Sequence, residues 1–309
     1  MKAVVCTRYG PPEVLQLQDV AKPVPGKKQV CIRVVATAVT SSDCYIRGLD
    51  LPFGYRMLAR LALGLTAPRR RILGMVLAGE VESAGPDVRS FSEGDQVFGF
   101  DRHLFGTYAD YVCWPQGGVL ASLPVGLTSQ EAAAVPYGGL LALHYLRAAN
   151  IRSGQRVLIY GASGAVGTSA VQLARHFEAN VTAVCGPTNL GLVKSLGAAT
   201  VIDYTRQDFA GRGERYDIIF DAVGKRKSAT ALRNTSKALT RGGIRLSVDD
   251  GTPKLRASDL AVIGELAGAG QLRPVIDRCY PLEQIVEAHR YVDAGHKRGN
   301  VIVTVAPGA

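Results

Sequence analysis

Val157-Leu-Ile-Tyr-Gly-Ala-Ser-Gly-Ala-Val-Gly167 joins an apolar run to a glycine-rich turn and then to a helix-forming segment. Val157–Tyr160 reads as a buried strand and Gly164–Phe177 as a helix. A strand entering a helix through such a turn can hold a dinucleotide phosphate. Gly164 lets the backbone approach a pyrophosphate, Gly167 lets helix and strand pack closely, and the N–H groups of the first helical turn offer partial positive charge to the anion. Ala162 stands where the first glycine of G-x-G-x-x-G would fall, and Gly161 lies one position early. Further strands at Val181–Val184, Thr200–Ile202, Ile218–Asp221 and Ile244–Val248 alternate with helices at Thr188–Leu196 and Ala229–Leu239. The pattern predicts a doubly wound parallel sheet of the Rossmann type, and with it a nucleotide-dependent oxidoreductase.

The chain on either side reads differently. From Met1 to about Ser122, short strands at Ala3–Cys6, Leu15–Asp19, Gln29–Ala38, Gly79–Ala84, Gln96–Phe98 and Ala109–Cys113 are separated by turn residues, which predicts a β-barrel-like unit. Phe53–Leu65 has helical spacing and reads as a lid or as an amphipathic surface helix; it is too short and too lightly basic for an interfacial membrane helix. Phe53, Tyr55, Phe105 and Tyr108 could line an apolar cleft or belong to the core. Ser129–Ala149 is helical, broken or begun at Pro136. Leu282–Ala294 reads as another helix, and Asn300–Val305 as a strand returning to the first domain. The expected division is an α/β chain with a first domain over 1–122, completed by about 273–309, and a nucleotide-binding domain over 123–272.

With 309 residues, 47% of them apolar, the chain can bury two cores. Its first residues lack an apolar run of signal-peptide length and no segment reaches ~18 uninterrupted apolar residues, so a cytoplasmic protein without a membrane partner is expected. Six scattered cysteines without C-x-x-C spacing argue against a disulfide framework and a clustered zinc site. The net charge of +10, with Arg56, Arg60, Arg69, Arg70 and Arg71 close together, suits a phosphorylated cofactor or a solvated basic surface. No nucleic-acid motif accompanies it, so nucleic acid is not the expected partner.

Several motifs together resemble the zinc-free medium-chain dehydrogenase/reductase family, in its NADPH:quinone oxidoreductase, zeta-crystallin-like branch. They are Met1-Lys-Ala-Val-Val5 with Gly10-Pro-Pro-Glu-Val-Leu15, Ile72-Leu-Gly-Met-Val-Leu-Ala-Gly-Glu-Val81 leading to Gly94-Asp-Gln-Val97, Gly106-Thr-Tyr-Ala-Asp-Tyr-Val112, the glycine turn, and Val201-Ile-Asp-Tyr204. The resemblance implies a GroES-like barrel built from the N-terminal part and the chain's end, and a Rossmann domain between them. It also implies where zinc ligands would stand in zinc-dependent relatives: a Cys near Ser41–Asp43 and a Gly-His-Glu run where this chain has Gly74-Met75-Val76. Neither is present. Cys44, His103 and His144 remain as isolated candidates, and no metal is expected.

An NAD-selective site places an acidic residue about twenty residues past the glycine turn. Cys185-Gly-Pro-Thr-Asn189 carries no such residue there, so NADP(H) is the expected cofactor, although no Lys or Arg follows the strand directly. Its expected contacts are Ala162, Ser163, Gly164, Ala165, Val166 and Gly167 at the turn. Gly186, Thr188 and Asn189 follow the second strand, and Lys194 could add charge. From the resemblance come Tyr204 beside the phosphate, the Ala222-Val223-Gly224 turn, Ser247 and Asn300. Thr188 and Asn189 read equally as residues that cap their own helix.

Without a Lewis acid, reduction of an electron-poor acceptor is easier than oxidation of an unactivated alcohol. Thr40-Ser-Ser-Asp-Cys-Tyr-Ile-Arg47 resembles the branch's active-site turn, usually Asn-x-x-Asp-x-Tyr, with Thr40 replacing Asn. Tyr45 is the expected proton donor to the acceptor oxygen, with Thr40 near the nicotinamide. Asp43 reads as catalytic or as a cap that binds backbone amides or pairs with Arg47. Leu141 replaces a Thr often found in relatives. The expected activity is hydride transfer to a quinone or an α,β-unsaturated carbonyl, with a small electrophilic acceptor as partner. The other readings are an NADPH-binding sensor or scaffold with little turnover, and single-stranded RNA binding through Arg69–Arg71. Only Asp249–Arg256 separates Val248 from the next helix, where resembling proteins carry a sixth strand that commonly supports dimerisation. Either the sheet ends after five strands or residues are missing there; the expected homodimer depends on that edge.

Overall fold

The computed structural model describes residues 1–49, 53–233 and 235–305. These form two compact units, Met1–Pro136 joined by the chain from Ile276 onward, and Tyr137–Val275. In chain order the first unit contains strands β1 (Lys2–Cys6), β2 (Leu15–Asp19), β3 (Gln29–Val39), β4 (Val76–Ala84), β5 (Gln96–Phe100), β6 (Tyr111–Pro115) and β7 (Leu120–Ser122). The second holds β8 (Arg156–Tyr160), β9 (Asn180–Cys185), β10 (Thr200–Asp203), β11 (Tyr216–Asp221) and β12 (Leu239–Ser247); β13 (Ile276–Pro281) and β14 (Asn300–Thr304) return to the first. The helices are α1 (Ser41–Gly48), α2 (Phe53–Leu63), α3 (Ser129–Ala134), α4 (Pro136–Ala148), α5 (Ala165–His176), α6 (Leu190–Ser195), α7 (Lys225–Ser228), α8 (Thr235–Ala238), α9 (Ala257–Gly268) and α10 (Ile285–Asp293). Among the described residues no helix is long and apolar enough to cross a membrane.

The first unit is organised by β3, whose run of Val, Ile and Ala is buried along most of its length. It pairs antiparallel with β4, β6 and β14, so the last strand does return to the first unit, with Val303 opposite Thr37. The sheet order is β13-β14-β3-β4-β5-β7 with β6 on β3, and β1 and β2 form a separate hairpin. One core contains Val30, Ile32, Val34, Leu77 and Trp114, and another Val4, Leu73, Tyr108, Ile285 and Val301. Each buried aliphatic side chain contributes about 1.5–3 kcal/mol. Tyr108 is therefore core, while the side chains of Phe53, Tyr55 and Arg56 lie outside the described residues. The unit continues beyond 122 because α3, begun by a Thr128–Glu131 capping box, packs on β3, β4 and β14. At the other end it resumes at Ile276, because β13 pairs with β14.

The second unit is a five-stranded parallel sheet in the order β10-β9-β8-β11-β12. The chain steps outward from β8 to β9 and β10, then crosses to β11 and β12. The switch point therefore lies between the C-terminal ends of β8 and β11, where open α/β sheets bind ligands. The short segment after Val248 contributes no sixth strand, and β12 is left as an edge with Ile244 partly exposed. The helix expected over Ala229–Leu239 is replaced by turns and the four-residue α8, and Leu239 already belongs to β12. Thr230, Thr235, Ser236 and Thr240 are poor helix formers, and Gly242-Gly243 then lets the strand bulge before Ile244 pairs with Ile218.

Candidate functional site

In the second unit the parallel register aligns Tyr160, Val184, Asp221 and Ser247 at one edge of the sheet. The chain leaving β8 turns sharply at Gly161, where φ is 77°, and its N–H and that of Ala162 donate to the Val184 carbonyl at 3.0 Å. Gly164 is the N-cap of α5 and makes no side-chain cap. The first helical N–H groups are thus available to an anion. A Cβ at Gly164 would meet nothing nearer than the Gly161 carbonyl oxygen at 3.6 Å, which leaves that side open. At Gly167 the same atom would come within 2.2 Å of that oxygen and 2.7 Å of Ala162 Cα. One glycine gives access and the other gives packing.

Beyond β9, Gly186 lies against the ring of Tyr204, whose own N–H donates to the Cys185 carbonyl at 3.3 Å. Tyr204, just after β10, is 55% exposed; Thr188 is exposed in the connection after β9, and Lys194 is exposed on α6. Asn189 donates from Nδ2 to Ser163 Oγ at 3.3 Å, tying the β9 connection to the glycine turn. Its Oδ1 is buried without a partner, so it can accept from a ribose hydroxyl. The residues present therefore fit a dinucleotide: an uncapped helix start, an open glycine and an orphaned acceptor sit on one sheet edge. No carboxylate stands at the end of β9; Asp203 closes β10 instead and accepts from Thr205 N–H and Oγ.

The turn after β11 is organised by Asp221, which in the sequence alone is simply the end of a strand. It is fully buried; Oδ1 accepts from the Val223 and Gly224 N–H groups, and Oδ2 from the hydroxyls of Ser228 and Ser247. Ser247, expected as a cofactor contact, thus has its hydroxyl committed to this carboxylate. Val223 packs over Gly161, which brings Ala222-Val223-Gly224 beside the glycine turn. An acid directly after the apolar run Ile218-Ile-Phe220 was the available signal for this role. Asn300 belongs to the first unit, buried at the start of β14.

In the first unit, Ser41–Gly48 is a helix rather than the expected turn. Thr40 and Asp43 close a capping box: Thr40 N–H and Oγ1–H donate to Asp43 Oδ2 at 2.9 and 2.6 Å, and Asp43 N–H donates back to Thr40 Oγ1 at 3.2 Å. Asp43 Oδ1 accepts from Gly74 N–H at 3.2 Å, and the Tyr108 hydroxyl adds a further hydrogen bond. Burial pushes the Asp43 carboxyl up to about 6 although all these donors pull it down. Asp43 is therefore the cap, and Arg47 is not its partner. Arg47 donates to the Gly10 carbonyl, to His289 Nδ1 at 3.1 Å and to Asp293 Oδ2 at 2.7 Å. Because guanidinium can only donate, His289 carries its proton on Nε2, which is buried without a partner. Burial, aided by Arg47, holds His289 at about 3. Asp43, Cys44 and Arg47 face inward, leaving Tyr45 on the opposite side, 43% exposed.

Among the described residues no three His, Cys, Asp or Glu side chains gather to hold a metal. Cys44 lies 3.4 Å from His289 Nδ1 and beside Asp293, whose carboxylate is paired with Arg47; His144 packs edge-on against Tyr145; and Met75 is buried in the core where zinc-dependent relatives are expected to carry a ligand. Zinc does not fit these residues.

Models of the alcohol dehydrogenase GroES-like domain match residues 26–125, and models of the zinc-binding dehydrogenase match residues 165–249 and 244–303. A 2-methylene-furan-3-one reductase of Solanum lycopersicum is 31% identical over 99% of this chain and 80% of its own length. A quinone oxidoreductase of Sus scrofa is 33% identical over 97% of this chain and 95% of its own. The structure of a quinone oxidoreductase from Coxiella burnetii superposes with a TM-score of 0.83 at 27% identity, covering 99% of each chain.

Proposed function

Because the chain belongs to the medium-chain dehydrogenase/reductase family, in its quinone oxidoreductase branch, we infer that it is an NADPH-dependent, zinc-independent reductase of quinones or α,β-unsaturated carbonyls. The observation that carries the reading is the uncapped start of α5, with the open Gly164 at the sheet's switch point. When bound, NADPH supplies the hydride. The N–H groups from Ser163 to Gly167 would hold its diphosphate, Asn189 Oδ1 would accept from a ribose hydroxyl, and Lys194 and Tyr204 would receive the 2′-phosphate. The 222–224 turn would border the nicotinamide half through its backbone, and Asn300 would be a further contact. Tyr45, on the exposed side of α1, would donate a proton to the acceptor oxygen. An electron-poor acceptor needs no Lewis acid, so positioning supplies most of the acceleration. A cytoplasmic location belongs to the same reading, and a homodimer would need a surface other than the sixth strand that the segment after Val248 does not form.

Mixing the NADPH complex with a panel of quinones and enones tests the activity: absence of turnover above background in both classes would overturn it. Tyr45→Phe should lower kcat/KM about 100-fold while NADPH affinity stays unchanged, the signature of a lost proton donor. Lys194→Ala should weaken NADPH about fivefold, the scale of one exposed ion pair, and leave NADH unaffected; equal losses for both nucleotides would remove Lys194 from the phosphate site. A nucleotide sensor is the second reading, favoured by the commitment of the buried Thr40 hydroxyl to Asp43. Tight NADPH binding without hydride transfer to any acceptor selects it.

A further inference from the structure

Cys31 and Cys113 are far apart in sequence, yet they face each other across β3 and β6. The hydrogen-bond phase of that ladder fixes how closely. Val34 N–H donates to the Asp110 carbonyl at 2.8 Å, and Gln116 N–H to the Lys28 carbonyl at 3.0 Å. Hydrogen-bonded and non-hydrogen-bonded pairs alternate along an antiparallel ladder. With pairs 34–110 and 28–116 bonded, Cys31–Cys113 falls in a non-bonded slot, where Cα atoms are about 4.5 Å apart and side chains come closest. That spacing lies within the range of about 4.4–6.8 Å that a disulfide spans. The side chains share one face of the ladder, and both thiols are free.

The two sulfurs also differ in a way that orders their chemistry. Cys31 is buried, with its Sγ 3.7 Å from the Glu82 carboxylate and 3.9 Å from the Pro23 carbonyl; Lys22 pairs with that carboxylate and lies over the Tyr111 ring. Surrounded by acceptors, Cys31 keeps its proton and donates to the Cys113 sulfur, which burial alone would push up and this hydrogen bond instead holds below the ordinary thiol range. Cys113 is partly exposed. Burial pushes Cys6, Cys44, Cys185 and Cys279 up instead.

We propose that Cys113 and Cys31 are a reversible oxidation site, Cys113 reacting first with a hydroperoxide and Cys31 resolving it to a cross-strand disulfide. The Cys113 thiolate attacks one oxygen of hydrogen peroxide; an S–O bond forms, the O–O bond breaks, and the departing hydroxide takes a proton to become water. The Cys31 sulfur then gives up its proton and attacks the Cys113 sulfenic acid, forming the S–S bond and releasing the second water. Two thiols and one peroxide give one disulfide and two waters. Only the first thiol must be reached from solvent, which matches the exposure of the pair.

The test treats the full chain with hydrogen peroxide, blocks remaining thiols under denaturing conditions, and maps tryptic peptides without reductant. The expected product is the peptide Gln29–Arg33 joined to the one carrying Cys113, lighter than the two reduced peptides by two hydrogens and separated again by dithiothreitol. Cys31→Ser should leave Cys113 as a sulfenic acid trapped by dimedone, and Cys113→Ser should leave Cys31 reduced. Recovery of Cys31 and Cys113 as free thiols while Cys279 is oxidised would overturn the proposal, as would Cys113 crosslinked to any other cysteine. The mapping needs no variant, so a substitution that fails to fold does not decide the outcome.

Discussion

Gly164→Val is expected to weaken NADPH binding by about 100-fold or more while the thermal midpoint moves only a few degrees, and Gly167→Val to unfold the nucleotide unit. The contrast follows from what a side chain would meet. At Gly164 a Cβ has only one neighbour, the Gly161 oxygen at 3.6 Å, and φ is −79°, which any residue adopts. Its larger atoms would point into the space that a pyrophosphate needs in order to approach the first turn of α5. Losing those amide contacts costs about 3 kcal/mol, hence the hundredfold. At Gly167 the obstacles at 2.2 and 2.7 Å are backbone atoms of the turn itself and cannot rotate away. Helix and strand would have to separate, and because the obstacles are backbone the cost exceeds the roughly 1–3 kcal/mol of ordinary overpacking. Nucleotide titration beside thermal unfolding checks both variants. A Gly164→Val protein that binds NADPH normally would remove the diphosphate from this helix end.

Much of this arrangement was legible because periodicity and glycine placement are local. The run Val157–Gly167 announced β8, the turn and α5, and the apolar runs at 181–184 and 218–221 announced β9 and β11. What escaped depends on partners distant in sequence. β13 has a mixed pattern, Ile276-Asp-Arg-Cys-Tyr-Pro281, and becomes a strand because β14 offers it a parallel edge. α1 looked like a turn because its inward face holds Asp43, Cys44 and Arg47, polar residues buried only because Gly74, Tyr108, His289 and Asp293 satisfy them. Asp221 reads as the end of a strand until two N–H groups and two hydroxyls converge on it. Scattered cysteines without C-x-x-C spacing argue against a disulfide framework, but antiparallel pairing places residues side by side at any separation in sequence. Apolar pattern predicts elements; buried polar groups need the partner to be seen.

Asp43 and His289 should pull the pH dependence of stability in opposite directions. Burial raises the Asp43 carboxyl from 3.8 to about 6. The native state therefore holds a proton that the unfolded chain has released, and this contribution is full below pH 3.8 and lost as pH rises through about 6. Burial lowers His289 from 6.5 to about 3, so its contribution is full above pH 6.5 and lost as pH falls through about 3. Each titration has a slope of about 1.4 kcal/mol per pH unit, and between about pH 4 and 6 the two cancel. Asp43→Asn should leave His289 unopposed, making the protein lose about 3 kcal/mol more than wild type on acidification from pH 6 to pH 4. His289→Gln should do the reverse, gaining a similar amount relative to wild type over the same interval. The carboxylates held low by their partners, Glu13, Glu214, Asp250 and Asp277, are common to all three proteins and cancel in the differences. Urea unfolding at a series of pH values reads these slopes directly, and it does so even if either substitution lowers stability at every pH. Tyr108 joins the two groups, with its hydroxyl on Asp43 and its ring edge-on to His289 at 5.6 Å. The double variant should therefore depart from the sum of the single effects, as expected for neighbours in one network. Parallel slopes in wild type and both single variants would mean that neither group changes its protonation on unfolding in this range, and that the polar network under α1 is open to water.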